Sequence, residues 1–145
     1  MRLLLDTNVF IWAHAEPDRL GKQLDLLTNP ENQLFLSSVS AVEIVIKFGL
    51  GRLDLPADPT EWLPSRMERI SARWMSFDPQ HALALSGLPD VHRDPFDRIL
   101  VAQSMVEDLA LMTADRLLAR YPVSIILVDS RGPSPRNSTS PSIEA

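Results

Sequence analysis

The chain has 145 residues, with 14 Lys+Arg against 19 Asp+Glu, a formal charge of −5 and no cysteine. A chain of this length with 45% hydrophobic residues supports one domain of ordinary size with a real core and excludes wholesale disorder. Without cysteine there is no disulfide scaffold, thiolate metal site or cysteine nucleophile, and His14, His81 and His92 are too few for a histidine-rich metal site. No apolar run approaches the roughly 18 residues of a membrane span, and Asp6 interrupts the N-terminal apolar stretch too early for a secretory signal, so a cytoplasmic protein is expected.

The run Arg2-Leu3-Leu4-Leu5 reads as a buried strand, with Asp6-Thr7-Asn8 as the helix start after it. Apolar residues at Val9, Ile11 and Trp12, and again at Leu20, Leu24 and Leu27 beyond Pro17, predict two helices. Gln33-Leu34-Phe35-Leu36 is a second strand, followed by a helix over residues 40–48 that Gly49 and Gly51 stop. A helix over 60–70, a short strand over 73–77 and a helix from Pro79 to Leu85 come next, then a Pro- and Asp-rich loop over 89–95. Pro95 opens a helix with apolar positions Ile99, Leu100, Ala102 and Met105 at helical spacing. A strand over 109–112, a helix over 114–121 and a strand over 124–128 complete the domain.

Alternating strands and helices predict a three-layer α/β/α sandwich around a central, mostly parallel sheet. Residues 1–130 form the expected domain. From 131 the composition turns to Pro, Gly and Ser, so 131–145 reads as a disordered tail, in which Asn137-Ser138-Thr139 is a chance match to a glycosylation acceptor.

Four acids fall at places that such a sheet brings together: Asp6 after the first strand, Glu43 in the first turn of the helix after the second, Asp97 at the start of the helix from Pro95, and Asp115 after the 109–112 strand. C-terminal strand ends and N-terminal helix ends share the edge where ligands bind. Each acid also has a capping role open to it: Ser40-Ala-Val-Glu43 fits a capping box, Asp94-Pro95-Phe96-Asp97 fits a cap with an acid in the first turn, and Asp6 and Asp115 suit helix N-termini. Taken together, clustered carboxylates repel by roughly 4 kcal/mol per close pair at an effective dielectric near 20, so four acidic caps at one edge point to a cation. Mg²⁺ or Mn²⁺ prefers oxygen ligands, and phosphodiester hydrolysis is the chemistry such a site serves. Asp6 and Asp97 then act as direct ligands, with Glu43 and Asp115 completing the site, holding water or acting as base.

Leu3-Leu4-Leu5-Asp6-Thr7-Asn8, Ser40-Ala-Val-Glu43-Ile44, the stretch from His92 through Asp94-Pro95-Phe96-Asp97-Arg98 to Gln103, and Met112-Thr113-Ala114-Asp115 together resemble the PIN-domain nucleases, and among them the VapC toxins of type II toxin–antitoxin pairs. The resemblance runs from Met1 to about Asp129. It implies a Mg²⁺- or Mn²⁺-dependent endoribonuclease acting on RNA with Asp6, Glu43, Asp97 and Asp115 as its acidic quartet, a homodimer, and a cognate antitoxin whose C-terminal segment crosses the active-site groove. Thr7, Asn8 and Thr113 match polar positions that support the acids in that family or else cap helices, and Asp94 matches its aspartate before proline, with the N-cap as its expected job. Arg93 and Arg98 either neutralise RNA phosphate or form a solvated pair. Trp12, Trp62 and Trp74 read as packing residues rather than base-stacking platforms.

Three other readings share parts of this pattern. A phospho-receiver switch needs an N-terminal acidic pair and a late lysine, whereas Asp6 has no acidic neighbour and the two lysines are Lys22 and Lys47. A phosphatase of the haloacid dehalogenase type needs a second aspartate where Asn8 stands. A PIN-fold interaction module without catalysis would not need all four acids. Setting those four aside takes the charge from −5 to −1, so the acidity is mostly one proposed metal site.

Overall fold

The computed structural model describes residues 1–128; the expected domain end at 130 and the tail from 131 lie outside the described residues. Five strands, β1 (Arg2–Leu5), β2 (Gln33–Ser37), β3 (Arg73–Met75), β4 (Ala110–Thr113) and β5 (Ile125–Leu127), form one sheet in the order β3-β2-β1-β4-β5. Every pairing is parallel, with Leu5 opposite both Leu36 and Met112. Six helices flank it: α1 (Thr7–Ala15), α2 (Leu24–Thr28), α3 (Ser38–Gly49), α4 (Pro59–Arg69), α5 (Pro79–Ala84) and α6 (Pro95–Glu107). This PIN-like order differs from the 2-1-3-4-5 order of receiver domains, which removes the phospho-receiver reading.

Alternation along β1 explains the layers. Leu3 and Leu5 enter a core with Phe10, Leu36, Ile44, Trp62 and Met67, while Leu4 enters a second core with Leu100, Val101, Leu111, Leu118 and Tyr121. Successive strand side chains point to opposite faces, so an all-apolar β1 requires cover on both. Each fully buried leucine contributes about 1.5–3 kcal/mol.

Several local readings are corrected. The Ser37 side chain accepts from the Val39 amide at 3.0 Å and caps α3, so the helix starts at Ser38 and the expected capping box at Ser40 and Glu43 does not form. Strand β2 passes into helix at its last serine, which puts Ser40 inside α3 and Glu43 in its second turn rather than its first. The expected helix over 114–121 is a 3-10 segment, Arg116–Arg120, capped by Asp115. Trp12 and Trp62 are buried as expected, but Trp74 is 45% exposed, because β3 is a three-residue edge strand that leaves it uncovered.

The chain builds outward from β1 to β2 and β3, then returns to place β4 on the other side of β1. The reversal leaves a crevice beyond the C-terminal ends of β1 and β4, the position at which parallel α/β sheets bind ligands.

Candidate active site

A cleft of about 280 Å³ opens at that switch point, and its lining includes Asp6, Glu43, Asp94, Asp97 and Asp115, together with Thr7, Asn8 and Lys47. All four acids singled out in the sequence therefore meet in one place, although they come from four separate segments. Asp94 joins them as a fifth.

Asp6 occupies the residue between β1 and α1 with extended backbone, yet its side chain makes no cap hydrogen bond. Its carboxylate turns instead toward β4, where the Thr113 hydroxyl donates to Oδ2 at 2.6 Å. Burial raises its pKa from 3.8 to about 6, against the opposing pull of the Thr113 hydrogen bond, with Glu43 and Asp115 adding like charge. Thr113 also accepts the Asp115 amide at 3.0 Å, so one hydroxyl links two of the acids.

Asp97 is the third residue of α6, entering from the helix that Pro95 starts and Asp94 caps through the Phe96 amide at 2.9 Å. Asp94 thus has its expected capping job while also facing the cleft. Burial first, then the charges of Asp6, Asp94, Asp115 and Glu43, push Asp97 up to about 8. Asp115 is oriented at both oxygens: Oδ1 accepts from the Leu117 amide at 2.9 Å, and Oδ2 lies 2.7 Å from His92 Nε2. Glu43, buried on α3, meets the Lys47 ammonium one turn on at 2.6 Å.

The supporting residues divide. Thr7 supports Asp6 through its backbone amide, which donates to that carboxylate, while its hydroxyl donates to Ser40 at 2.8 Å and ties α1 to α3. Asn8 is exposed and lines the cleft. Arg93 and Arg98 are outside the lining: Arg93 is exposed, and the Arg98 guanidinium donates to the Pro89 carbonyl at 3.0 Å and to the Tyr121 hydroxyl at 3.2 Å.

Two residues at the cleft were missed in the sequence. Lys47 stands four residues after Glu43, a helical neighbour whose spacing was available to read. His92 sits in a loop with no periodicity, and no sequence signal pointed its ring at Asp97 and Asp115. Those three side chains each offer an atom within 4.8 Å of the others. The donor set is almost wholly carboxylate, crowded enough to help push Asp97 up to about 8, and it suits a hard divalent cation. Lys47 is the one cationic side chain among the lining residues.

The PIN domain family model matches residues 3–123. The chain is 28% identical over 120 residues to "Ribonuclease VapC22" of Mycobacterium tuberculosis, covering 82% of this chain and 91% of the relative. Similar solved folds include VapBC2 of Rickettsia felis bound to a promoter DNA fragment, with a TM-score of 0.65 and 19% identity over 89% of this chain and 100% of that one. Another is FitAcB of Neisseria gonorrhoeae, with a TM-score of 0.58 and 21% identity over 86% of this chain and 96% of that one. Since the family match spans most of its length, the chain belongs to the PIN-domain family and is a distant relative of the VapC ribonucleases.

Proposed function

We propose that this protein is a divalent-metal-dependent endoribonuclease and the toxin of a type II toxin–antitoxin pair. The observation that carries the proposal is the meeting of Asp6, Glu43, Asp97 and Asp115 in one cleft at the sheet's switch point. Folding alone does not call for such a cluster, because like charges held together cost stability that Ser or Asn caps would avoid. The kinship with a ribonuclease named VapC22 supports RNA as the substrate.

Asp6 and Asp97 are the residues assigned to hold Mg²⁺ or Mn²⁺, with Glu43 and Asp115 completing the set. When bound, such an ion makes water more acidic and offsets charge on the phosphate. The chain's own side chains supply the rest. Thr113 keeps Asp6 aimed into the cleft, the Leu117 amide and His92 fix Asp115, and Lys47 brings one positive charge to an otherwise acidic wall. Glu43, whose hydrogen-bond partner is Lys47 on one oxygen, takes the proton of the attacking water at the other.

A protein partner is supported by α3. Val42, Val45 and Ile46 are each about half exposed and recur at helical spacing along the helix that carries Glu43, and the exposed Leu50 at its C-cap extends the stripe. We assign that stripe to a homodimer contact and the cleft to a cognate antitoxin's C-terminal segment.

The test is RNA cleavage by the purified protein in Mg²⁺ or Mn²⁺, with RNA ends sequenced after brief expression in cells. Asp6→Asn and Asp97→Asn are expected to abolish cleavage and growth arrest while leaving the circular dichroism spectrum unchanged. Full cleavage by either variant overturns the proposal.

A further inference from the structure

The loop that leads into α6 places His92 against two cleft carboxylates, and its two ring nitrogens have different partners. The Asp94 backbone amide lies 3.1 Å from Nδ1, while Nε2 is 2.7 Å from Asp115 Oδ2 and 3.3 Å from Asp97 Oδ2. A backbone amide can only donate, so Nδ1 must accept. The neutral ring then carries its proton on Nε2, and that N–H faces the carboxylates.

This tautomer decides between two roles that proximity leaves open. His92, Asp97 and Asp115 have the spacing of a three-ligand metal group. Ligation through Nε2 would need a lone pair there and the proton on Nδ1, where it would meet the Asp94 N–H head on. As a donor, the ring instead completes Asp115: one carboxylate oxygen takes the Leu117 amide and the other takes His92.

The ring is also anchored. The His92 amide donates to the Tyr121 hydroxyl at 2.9 Å, and Arg98 donates to the same hydroxyl and to the Pro89 carbonyl, pinning both ends of the loop. His81 shows the same device in a fully buried setting, with Nδ1 accepting the Asp78 amide at 2.9 Å and Nε2 at 2.7 Å from Glu107. There it joins α5 to α6. At His92 the corresponding N–H points at acids that line the cleft.

We infer that His92 is a positioning residue of the acidic cleft, holding Asp115 toward Asp97 through an Nε2–H that the Asp94 amide enforces, and is not itself a metal ligand. What the positioned carboxylates do rests on the metal-nuclease reading. The positioning itself does not.

The experiment uses the full chain and three readouts: the His92 tautomer by long-range ¹H–¹⁵N correlation with and without Mg²⁺, Mn²⁺ affinity by calorimetry, and RNA cleavage. The wild type is expected to show Nε2–H in both states. Loss of an outer hydrogen-bond partner typically costs about 10–100-fold in metal affinity or activity, and His92→Leu should fall in that range. His92→Gln, which returns an amide N–H near the same point, should recover most of it. A proton moved to Nδ1 on adding Mg²⁺, wild-type Mn²⁺ affinity in His92→Leu, or no recovery in His92→Gln overturns the inference. The tautomer is read in the wild type, so an unfolded variant does not shield it. If the wild type cleaves no RNA while tautomer and Mn²⁺ affinities behave as expected, the nuclease reading falls and the positioning role stands.

Discussion

The Thr113 hydroxyl donates to Asp6 Oδ2 at 2.6 Å across the switch point of the sheet. Leu5 and Met112 are paired in register, and the Asp6 amide donates to the Met112 carbonyl at 2.9 Å, so Thr113 stands at the next rung from Asp6. Strand pairing, set by apolar residues, thereby fixes the distance between the first acid and the hydroxyl that orients it. A carboxylate buried this deeply has lost most of its water, and the threonine is its main compensation.

Thr113→Val should destabilise the protein by about 1.5–3 kcal/mol, the usual worth of a hydrogen bond to a charged group. Thr113→Ser keeps the hydroxyl and should restore most of that loss. Urea unfolding measures both, and equal midpoints for the valine and wild-type proteins would show that the bond stabilises nothing.

The crowding at Asp97 predicts a stability that responds to pH and to added metal. Its pKa rises from 3.8 to about 8 on folding, through burial and then the neighbouring carboxylates, so the native state binds a proton that the unfolded state has released. That contribution is complete below about pH 4 and is lost as pH rises through about 8. Asp97→Asn should therefore melt higher than wild type in chelator at about pH 8, by on the order of 2 kcal/mol, and converge with it toward pH 4. Added Mg²⁺ should reverse the order, since saturating an intact site to about 100 times its Kd contributes roughly 2.7 kcal/mol. A wild type more stable than Asp97→Asn in chelator at the higher pH contradicts this account.

His14 titrates in the opposite sense and away from the cleft. Its ring packs edge-on against Phe10 and Trp62, its Nε2 is buried without a partner, and burial, then Arg66 and Arg69, lowers its pKa from 6.5 to about 4. A depressed histidine contributes stability that is present above the unfolded pKa and lost as pH falls through the folded one. The wild type should lose stability between about pH 6.5 and 4 more steeply than His14→Phe, which keeps an aromatic ring and has no proton to take up. Parallel slopes in urea midpoints over that window would rule out His14 as the source.

How much of this was readable from the sequence depends on which physical signal each residue carried. Leu3-Leu4-Leu5 and Gln33-Leu34-Phe35-Leu36 announce buried strands, and parallel order then brings their following acids to one edge without any contact being known. Glu43 was misplaced within α3 because Ser37, Ser38 and Ser40 all make acceptable caps, and only the point where β2 ends selects Ser37. Trp74 has the composition of a core residue, but whether a strand is central or at an edge is a property of the whole sheet. His92 was hidden for a different reason. In a loop, ring direction is set by hydrogen bonds to Asp94 and Tyr121 that leave no periodic trace.

The α3 stripe makes the last prediction. Val42, Val45 and Ile46 on α3 and Leu50 at its C-cap are 49%, 50%, 48% and 61% exposed, alongside the helix face that buries Val39, Ser40, Glu43 and Ile44. Keeping Ile and Val in water at successive turns gains the monomer nothing, since covering one such side chain is worth about 1.5–3 kcal/mol. Val45→Asp and Ile46→Lys should leave the circular dichroism spectrum unchanged, because neither side chain is part of a core cluster, but should unfold at lower urea than the dimeric wild type, which alone has the contribution of association. Both should shift the protein from dimer to monomer in light scattering at micromolar concentration. RNA cleavage by the isolated monomer should persist, since every acid of the cleft comes from one chain. A wild type that is already monomeric removes the homodimer and leaves the stripe to the antitoxin, for which retained antitoxin binding by Val45→Asp would be the contrary result.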